Sequence, residues 1–306
     1  MIICPECSQG LATERDVLAC KTCSWHGEMR EGVPIYLGKR DLADAVLREY
    51  LENYDRIASD DIAESILDER YLQYQASNLA QRVGRLEGKS VCDVGCGKGF
   101  LARALLAVGA RELTVVDIAV SYLQRLEEKH RLRPVIANAE NLPFRGEFDV
   151  IVTTDVMEHV LNVGSFLYSL NRALKLGGKA YIRVPLRESL LGYSPFLGCP
   201  YRFVHLRSFD KSILRTYLSE AGFQIERFYR DGFWLNIPRP GWTKGHRRRQ
   251  VLESFVEWAK RRLRDPIEIT RWSPWLVGIF LRPVEITVVA RKIRSLEPPP
   301  AGQDAG

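Results

Sequence analysis

The stretch VCDVGCGKGF, residues 91–100, decides the fold, because an apolar run is followed at once by glycines at alternate positions. The run predicts a buried strand, and the amphipathic sequence GFLARALLAVG after it predicts a helix ending at Gly109. Gly95, Gly97 and Gly99 let the backbone turn sharply and approach a ligand without a Cβ clash. Their spacing differs from the G-x-G-x-x-G dinucleotide fingerprint and from the P-loop. We therefore predict a ligand-binding glycine loop between strand and helix, with a tight turn that binds nothing as the alternative.

Short apolar runs and amphipathic segments alternate along most of the chain. Six further strands are predicted, at LTVVDI, PVIAN, FDVIVTTDV, KAYIRVP, FQIERFYRDG and PVEITVVARK. Helices are predicted between them, among them VSYLQRLEEKHR and GSFLYSLNRALKLGG. This alternation is typical of βαβ units, so the sequence predicts the α/β class with a seven-stranded, mostly parallel sheet.

Polar residues stand where the predicted strands end. Asp117 ends the second strand, Asn138 ends the third, and Asp155 ends the fourth. Ligands of open α/β sheets bind at the carboxyl ends of the strands, and a carboxylate there can accept both hydroxyls of a ribose. These residues therefore indicate one site at one edge of the sheet.

Besides the glycine loop, the sequence contains the motifs VVDI, NAENLPF, FDVIVTTDVMEHV, LKLGGKAYIRVP and AGF. Together with the loop, these motifs resemble those of the class I S-adenosylmethionine-dependent methyltransferases. The likeness is greatest to the subgroup that includes the quinone-biosynthesis O-methyltransferases, and it covers roughly residues 50–230 and the last strand. It implies a Rossmann-like, seven-stranded methyltransferase sheet with helices on both faces. It also implies S-adenosyl-L-methionine as cofactor.

The resemblance assigns each part of the cofactor to residues of this chain. The loop would line the methionine part, Asp117 would hold the ribose, and residues 138–140 would contact the adenine. Where Asn138 stands the family more often has Asp, and an Asn side chain can donate as well as accept. The implied cofactor-binding residues are Asp93, Gly95, Cys96, Gly97, Gly99, Asp117, Ile118, Asn138, Ala139, Glu140 and Asp155.

Two histidines are candidate general bases for methyl transfer, because an imidazole pKa near neutrality suits proton abstraction. His159 lies one turn beyond Asp155, and His205 falls in the loop after the fifth predicted strand. The alternatives are a structural Glu158–His159 pair and a surface histidine at 205. The same loop offers aromatic walls and a cation, namely Tyr193, Tyr201, Arg202 and Phe203.

The net charge of +6 comes from one segment. Residues 239–264 carry nine Lys/Arg against two Glu, whereas residues 41–70 carry ten Asp/Glu against three Arg. Every fourth residue from Val251 to Leu263 is apolar, and WSPWLVGIFL follows. The alternatives are a helix packed on the sheet edge, a peripheral membrane contact through 247–282 and, less favoured, a nucleic-acid surface. The motifs of nucleobase amine and cytosine-C5 methyltransferases are absent from the sequence.

Two Cys-x-x-Cys pairs stand at the front of the chain. Cys4, Cys7, Cys20 and Cys23 suit tetrahedral zinc with two thiolates from each turn, and a degenerate or redox pair is the alternative. Four thiolates close the coordination shell, so the metal would be structural. The segment also resembles the zinc ribbon of methyltransferase-activating subunits.

The predicted organisation follows from these motifs. Residues 1–38 form a zinc ribbon, 39–87 a helical lead-in, 88–294 the methyltransferase domain with a 230–283 insertion, and 295–306 a disordered tail. We expect O-methylation of a small-molecule or lipid- or glycan-linked acceptor by a cytoplasmic enzyme, either free or associated with a membrane. An RNA methyltransferase, or a non-catalytic cofactor-binding subunit, is the alternative. The motifs predict neither the acceptor atom nor an oligomeric state.

Overall fold

The computed structural model describes residues 1–11, 18–64, 69–235 and 281–296. The chain divides into two compact units, Met1–Tyr229 with Ile286–Gly306, and Arg230–Glu285. Of the second unit, only the end of one strand and the beginning of another lie among the described residues. The site is therefore built within the first unit.

A mixed sheet forms the centre of the fold. Its strands are β1 (Glu28–Arg30), β2 (Val33–Ile35), β3 (Val91–Val94), β4 (Leu113–Asp117), β5 (Leu132–Ile136), β6 (Phe148–Thr154), β7 (Leu174–Pro185), β8 (Phe223–Leu235) and β9 (Leu281–Lys292). Their order is β1-β2-β5-β4-β3-β6-β7-β9-β8, and β5-β4-β3-β6-β7 are parallel. The predicted α/β class is confirmed.

The sheet has nine strands, so the predicted seven falls short by two. The additional strands are β1 and β2, an antiparallel hairpin that follows the second cysteine pair. β2 pairs in parallel with β5, and the N–H of Tyr36 donates to the Ile136 carbonyl at 2.8 Å. These pairings join segments about 100 residues apart, which no local sequence pattern indicates.

Seven α-helices accompany the sheet among the described residues. They are α1 (Lys39–Ala43), α2 (Ala45–Glu64), α3 (Glu69–Val83), α4 (Phe100–Ala107), α5 (Val120–Gln124), α6 (Val163–Ala173) and α7 (Lys211–Glu220). Two predicted helices are shorter than expected. The one over 120–131 ends at Gln124, before Glu128 adopts a left-handed backbone with φ 55°, and the one before β7 ends at Ala173.

The two faces of the sheet carry separate cores, as the alternation of side chains along a strand requires. Cys92 and Ile151 point into one core, shared with α6 and α7, while Val91 and Val150 point into the other, shared with α3 and α4. Helices therefore cover both faces, and the carboxyl ends of the parallel strands stay at one edge, where the candidate site lies.

The N-terminal segment packs on the sheet of its own chain. The N–H of Ile3 donates to the Pro143 carbonyl at 3.0 Å, and the Asn141 side chain donates to the Pro5 carbonyl at 2.8 Å. Cys4 and Trp25 are buried in the same core as Phe144. The ribbon region thus contacts the domain that bears the glycine loop.

Two predicted segments lie largely outside the described residues. Of the proposed membrane contact at 247–282 only the last two residues, which begin β9, are described, and of the tail at 295–306 only the first two. Within the described ranges, no helix combines the length and apolar character that crossing a bilayer requires.

Truncation of one core aromatic tests the packing of the sheet. Phe144 is fully buried and meets Phe148 edge to face at 4.9 Å between ring centroids. We expect Phe144→Ala to lower the free energy of unfolding by about 3–5 kcal/mol, because it removes a buried ring and leaves a cavity. Phe196→Ala is the matched control, since that ring is 99% exposed and its loss is expected to cost less than about 0.5 kcal/mol. Equal losses in denaturant titrations would contradict this packing.

Candidate active site

The glycine loop joins β3 to α4 and is fixed to the neighbouring strand. The N–H groups of Gly95 and Cys96 both donate to the Val116 carbonyl, at 2.7 and 3.1 Å. Gly95 has φ 77°, and a Cβ there would overlap the Val156 side chain. Gly97 has φ 47°, but a Cβ there would meet no atom of the described chain within 4 Å. The loop is therefore closely packed at Gly95 and faces open space at Gly97.

Asp93, two residues before the loop, carries a buried carboxyl with no partner. The residue is 0% exposed, and neither oxygen has a hydrogen bond within the described part of the chain. Burial, together with the nearby Asp117, raises the pKa of Asp93 to about 8. A carboxyl left without donors in this way is a natural acceptor for a ligand that brings its own.

Asp117, at the end of β4, is held by the backbone around it. Its Oδ2 accepts from the Gly97 N–H and its Oδ1 from the Ala119 N–H, each at 2.9 Å. Burial raises the pKa of Asp117, while these N–H groups act in the opposite direction. Each oxygen keeps further acceptor capacity, so the carboxylate can bind a pair of hydroxyl donors beside the loop.

Asn138 begins a single 3₁₀ turn, Ala139–Asn141, after β5. Its Oδ1 accepts from the Glu140 N–H at 2.9 Å, and its Nδ2 donates to Oδ1 of Asp41 on α1 at 2.9 Å. The backbone donor fixes which end of the amide is the oxygen. The orientation that the sequence left open is therefore determined, and the nitrogen points to α1.

The other residues implied as cofactor contacts are distributed around this edge. Cys96 is buried, Ile118 follows Asp117 directly, and the Glu140 carboxylate accepts from the Leu161 N–H at 2.7 Å. Asp155 has φ 55° and forms an ion pair with Arg183. Asp155 and Glu140 thus already have protein partners, whereas Asp93 does not.

Helix α2 lies over this edge and carries two tyrosines one turn apart. The rings of Tyr50 and Tyr54 contact each other at 4.6 Å between centroids with an interplanar angle of 43°, and Tyr50 is only 6% exposed. The Tyr54 hydroxyl contacts Nδ1 of His159 at 2.8 Å and donates to the Phe203 carbonyl at 2.8 Å. Asp55 of the same helix accepts from the Ser121 hydroxyl at 2.9 Å. These contacts connect the lead-in helix to both sides of the site.

The two candidate bases lie side by side. The rings of His159 and His205 meet edge to face, with 4.6 Å between centroids. Glu158, His159 and His205 each bring a polar atom within 4.8 Å of the others. Burial and the neighbouring His205 lower the pKa of His159 to about 4, so this ring is neutral near pH 7. Burial and the neighbouring Asp155 raise the pKa of Glu158 well above its ordinary value.

A carboxylate orients His205. Nδ1 of His205 donates to Glu188, which also accepts from the Tyr193 hydroxyl at 2.5 Å. Burial alone would raise the pKa of Glu188, but these two donors hold it below its ordinary value. Because an ionised carboxylate can only accept, Nδ1 of His205 carries a proton, and Nε2 is the nitrogen not engaged by Glu188. Tyr193 also stacks on the His205 ring at 4.0 Å.

The remaining loop residues have local partners. The Tyr201 hydroxyl donates to Asp60 at 2.9 Å, Arg202 pairs with Glu49, and Phe203 packs against Tyr50 at 5.9 Å. The sequence indicates Arg202 as a cation for the substrate, but in the structure its charge is matched by Glu49. These contacts instead attach the loop to α2.

The four front cysteines form one cluster. Their sulfurs all lie within 4.8 Å of one another, with Cys4 and Cys23 at 3.6 Å and Cys7 and Cys20 at 3.5 Å. Tetrahedral zinc with Zn–S bonds near 2.3 Å would separate its sulfurs by about 3.8 Å. Hydrogen bonds from the N–H groups of Cys23 and Thr22 lower the pKa of Cys20 to about 6, whereas burial raises the pKa of Cys4 to about 12. The donor set and its spacing fit zinc.

Sequence reasoning missed four residues of this region, namely Asp41, Tyr50, Tyr54 and Glu188. The i, i+4 spacing of the tyrosines was visible as helix periodicity but not as a site signal. Asp41 and Glu188 were hidden among many acidic residues, because only long-range contacts distinguish them.

Comparison with known proteins agrees with this geometry. A family model described as methyltransferase domain matches residues 69–227, about half of the chain. The chain is 33% identical over 135 residues to the mitochondrial ubiquinone biosynthesis O-methyltransferase of Dictyostelium discoideum, covering 39% of this chain and 42% of that protein. It is 32% identical over 126 residues to the ubiquinone biosynthesis O-methyltransferase of Azotobacter vinelandii, covering 38% and 53%. The chain thus spans about half the length of these relatives.

A solved structure shows the same fold. One chain of the complex between the Haloferax volcanii Trm112 methyltransferase activator and a methyltransferase superposes with a TM-score of 0.55. The superposition covers 79% of this chain and 98% of that one, at 16% identity, so it is a likeness of fold. Because the family model matches half of its length, and the glycine loop and Asp117 lie within the match, this chain belongs to the methyltransferase domain family.

Proposed function

We propose that this protein is an S-adenosylmethionine-dependent methyltransferase that methylates a hydroxyl of a small-molecule acceptor. The observation that carries the proposal is the set of unsatisfied acceptors beside an open glycine loop. Asp93 is buried without a donor, and Asp117 accepts backbone N–H groups but retains lone pairs. The family match and the ubiquinone O-methyltransferase relatives support the same activity.

The residues present fit S-adenosylmethionine. Its ribose brings two hydroxyl donors for Asp117, and its methionine part brings an ammonium for the region of Asp93. The open space in front of Gly97 leaves room for a ligand to lie against the backbone. When bound, the cofactor supplies an electrophilic methyl group on a sulfonium.

The task of the protein is to position the acceptor and remove its proton. A nucleophile held about 3 Å from the methyl group gains most of its rate from alignment. Glu188 engages Nδ1 of His205, so Nε2 is the nitrogen that would take the hydroxyl proton. His159, which stays neutral, packs against His205 and fixes its place.

The proposal of a hydroxyl acceptor is based on the His205–Glu188 pair and on the similarity to ubiquinone biosynthesis O-methyltransferases. A phenol-like hydroxyl must pass its proton to a base, a role that His205 oriented by Glu188 can fill, whereas transfer to a neutral amine needs no base before the chemical step. The alternatives, an RNA acceptor or a lipid-linked one, would use the basic segment 247–282, which lies mostly outside the described residues. These acceptor classes can be distinguished by transfer of a labelled methyl group into cell extract. The extract is then split into lipid, RNA, protein and small-molecule fractions, and the label in each is measured. Label confined to RNA would contradict the proposal.

We also propose that zinc binds the four front cysteines as a structural ion. The donor set is closed, so no coordination position remains for a catalytic water. The supporting observations are the spacing of the sulfurs and the burial of Cys4 in the core beneath β5 and β6. The domain boundaries 1–38, 39–87 and 88–294 remain proposals of the same kind.

Substitution of Gly97 tests the cofactor cleft. We expect Gly97→Ala to weaken binding of S-adenosylhomocysteine at least tenfold by calorimetry, because the new Cβ enters the open space beside the loop. Gly146→Ala is the matched control, since Gly146 also has positive φ, 53°, and open space but lies in a turn before β6. Both variants share the backbone strain, so unchanged affinity in Gly97→Ala would contradict the placement of the ligand.

Substitution of the base pair tests the chemistry. We expect His205→Ala to lower kcat by about 10²–10⁴, as loss of general-base catalysis does, and Glu188→Gln to lower it less, with KM for S-adenosylmethionine nearly unchanged in both. Glu188→Asp should restore part of the rate. His130→Ala, on an exposed ring, is the control. Initial rates of label transfer to the small-molecule fraction provide the measurement, and undiminished rates in both variants would mean that alignment alone drives transfer.

Removal of one thiol tests the metal. Wild-type protein should contain one zinc per chain by elemental analysis, and Cys4→Ser should lose it and melt at lower temperature, because metal binding contributes to folding. Cys199→Ser, outside the cluster, should keep both metal content and melting temperature. A zinc-free wild-type protein purified without chelator would overturn the assignment.

A further inference from the structure

The adenine of the proposed cofactor has a defined place at the sheet edge. Asp117 ends β4, and β5 lies directly beside it, with Asp117 opposite Ile136. If Asp117 holds the ribose, the base attached to that ribose extends over the end of β5, onto the turn that starts at Asn138. This inference therefore rests on the proposed function.

Adenine requires both a donor and an acceptor from the protein. Its exocyclic amine donates, and its ring N1 beside the amine accepts. Ala139 is the first residue of the 3₁₀ turn, so its N–H has no partner within the turn and can serve N1. The amine needs an acceptor on the same edge.

Asn138 is poorly suited to supply that acceptor. Its oxygen already caps the turn through the Glu140 N–H, and the atom on its other side is a nitrogen that donates to Asp41. Reversing the amide would place an NH₂ group against the Glu140 N–H. The side chain is therefore held with a donor directed away from the turn.

Asp41 lies at the other end of that hydrogen bond. The residue is 6% exposed, its Oδ1 accepts from Asn138, and its Oδ2 accepts from the Gly38 N–H at 2.8 Å. A buried carboxylate with two neutral donors keeps acceptor capacity at low solvent exposure.

We propose that Asp41 is a cofactor-binding residue, which accepts a hydrogen bond from the exocyclic amine of adenine, with Asn138 positioning it. A single Asp at position 138 could both cap the turn and accept from the amine. In this chain Asn138 caps the turn and Asp41 supplies the acceptor. Asn138 caps the turn, and its Nδ2 holds Asp41 beside the turn. The acceptor thus comes from α1, the first helix after the ribbon.

The position of Asp41 depends on the first cysteine turn. Glu6, between Cys4 and Cys7, accepts from the Lys39 N–H at the start of α1. A Cβ on Gly38 would lie 3.0 Å from the Glu6 carboxylate and 3.4 Å from that of Asp41. The carbonyl of the neighbouring Pro5 accepts a hydrogen bond from the side chain of Asn141, the last residue of the 3₁₀ turn after β5. The cysteine turn thus supports both the helix and the turn between which the base would lie.

The test compares two ligands in titration calorimetry. The first is S-adenosylhomocysteine, and the second is S-inosylhomocysteine, in which a carbonyl oxygen replaces the amine and N1 carries a hydrogen, so that both hydrogen bonds of this edge change. Wild-type protein should prefer the adenine form by about tenfold or more, since a charged acceptor discriminates strongly against an oxygen in that place. Asp41→Asn should weaken adenine binding about tenfold and reduce the preference, leaving only the part that depends on the Ala139 N–H and N1. The ratio of the two affinities is insensitive to a general loss of folded protein.

A swap variant supplies the matched control. Asp41→Asn with Asn138→Asp exchanges the two side chains, so that position 138 both caps the turn and accepts from the amine, while the amide introduced at position 41 keeps the Gly38 contact. We expect the double variant to recover the adenine preference and most of the affinity. A folded double variant that fails to recover them would overturn the proposal.

The outcomes separate the two levels of inference. If wild-type protein binds neither ligand, the proposed function itself fails. If wild-type protein binds the adenine form and Asp41→Asn keeps both its affinity and its preference, only the role of Asp41 fails. Should Asp41→Asn prove too unstable to titrate, the double variant decides by the presence or loss of the preference.

Discussion

The bond between the Asp117 carboxylate and the Gly97 N–H, 2.9 Å long, is the interaction on which the rest of the site depends. It joins the end of β4 to the loop after β3. The distance between the polar ends of these two parallel strands is therefore fixed. The Val116 carbonyl secures the same loop from below through Gly95 and Cys96. Because these contacts are satisfied within the protein, the open side of Gly97 and the carboxyl of Asp93 are left for a ligand.

The ribbon and the cofactor edge are physically connected. The hairpin of β1 and β2 extends the sheet beside β5, and the first cysteine turn contacts α1 through Glu6 and the 3₁₀ turn after β5 through Pro5. A structural metal at the front of the chain would therefore stabilise more than its own segment. The glycine loop, by contrast, is held by β4 and has no such contact with the cysteine turns within the described part of the chain.

Local patterns were enough to predict the glycine loop, Asp117 and the parallel strands. Each belongs to one strand–loop–helix unit, in which hydrophobic periodicity predicts the strand and helix and glycine spacing predicts the loop. The contact from Asp41 to Asn138 spans 97 residues, and that from Tyr54 to His159 spans 105. Such pairs depend on how distant elements pack, as do β1 and β2, the two strands at one side of the sheet that the count of seven omitted. His205 was predicted as a candidate base from its place in the loop after β7. Glu188, which orients it, was not indicated by any sequence pattern.

The central claim is that the edge formed by Asp93, Gly97 and Asp117 is a site for S-adenosylmethionine. Calorimetric titration of the purified wild-type chain with S-adenosylmethionine tests it most directly. The account predicts saturable binding of one molecule per chain, competed by S-adenosylhomocysteine, with a rise in melting temperature that grows with ligand concentration. Neither heat of binding nor a change in melting temperature at millimolar ligand would contradict it.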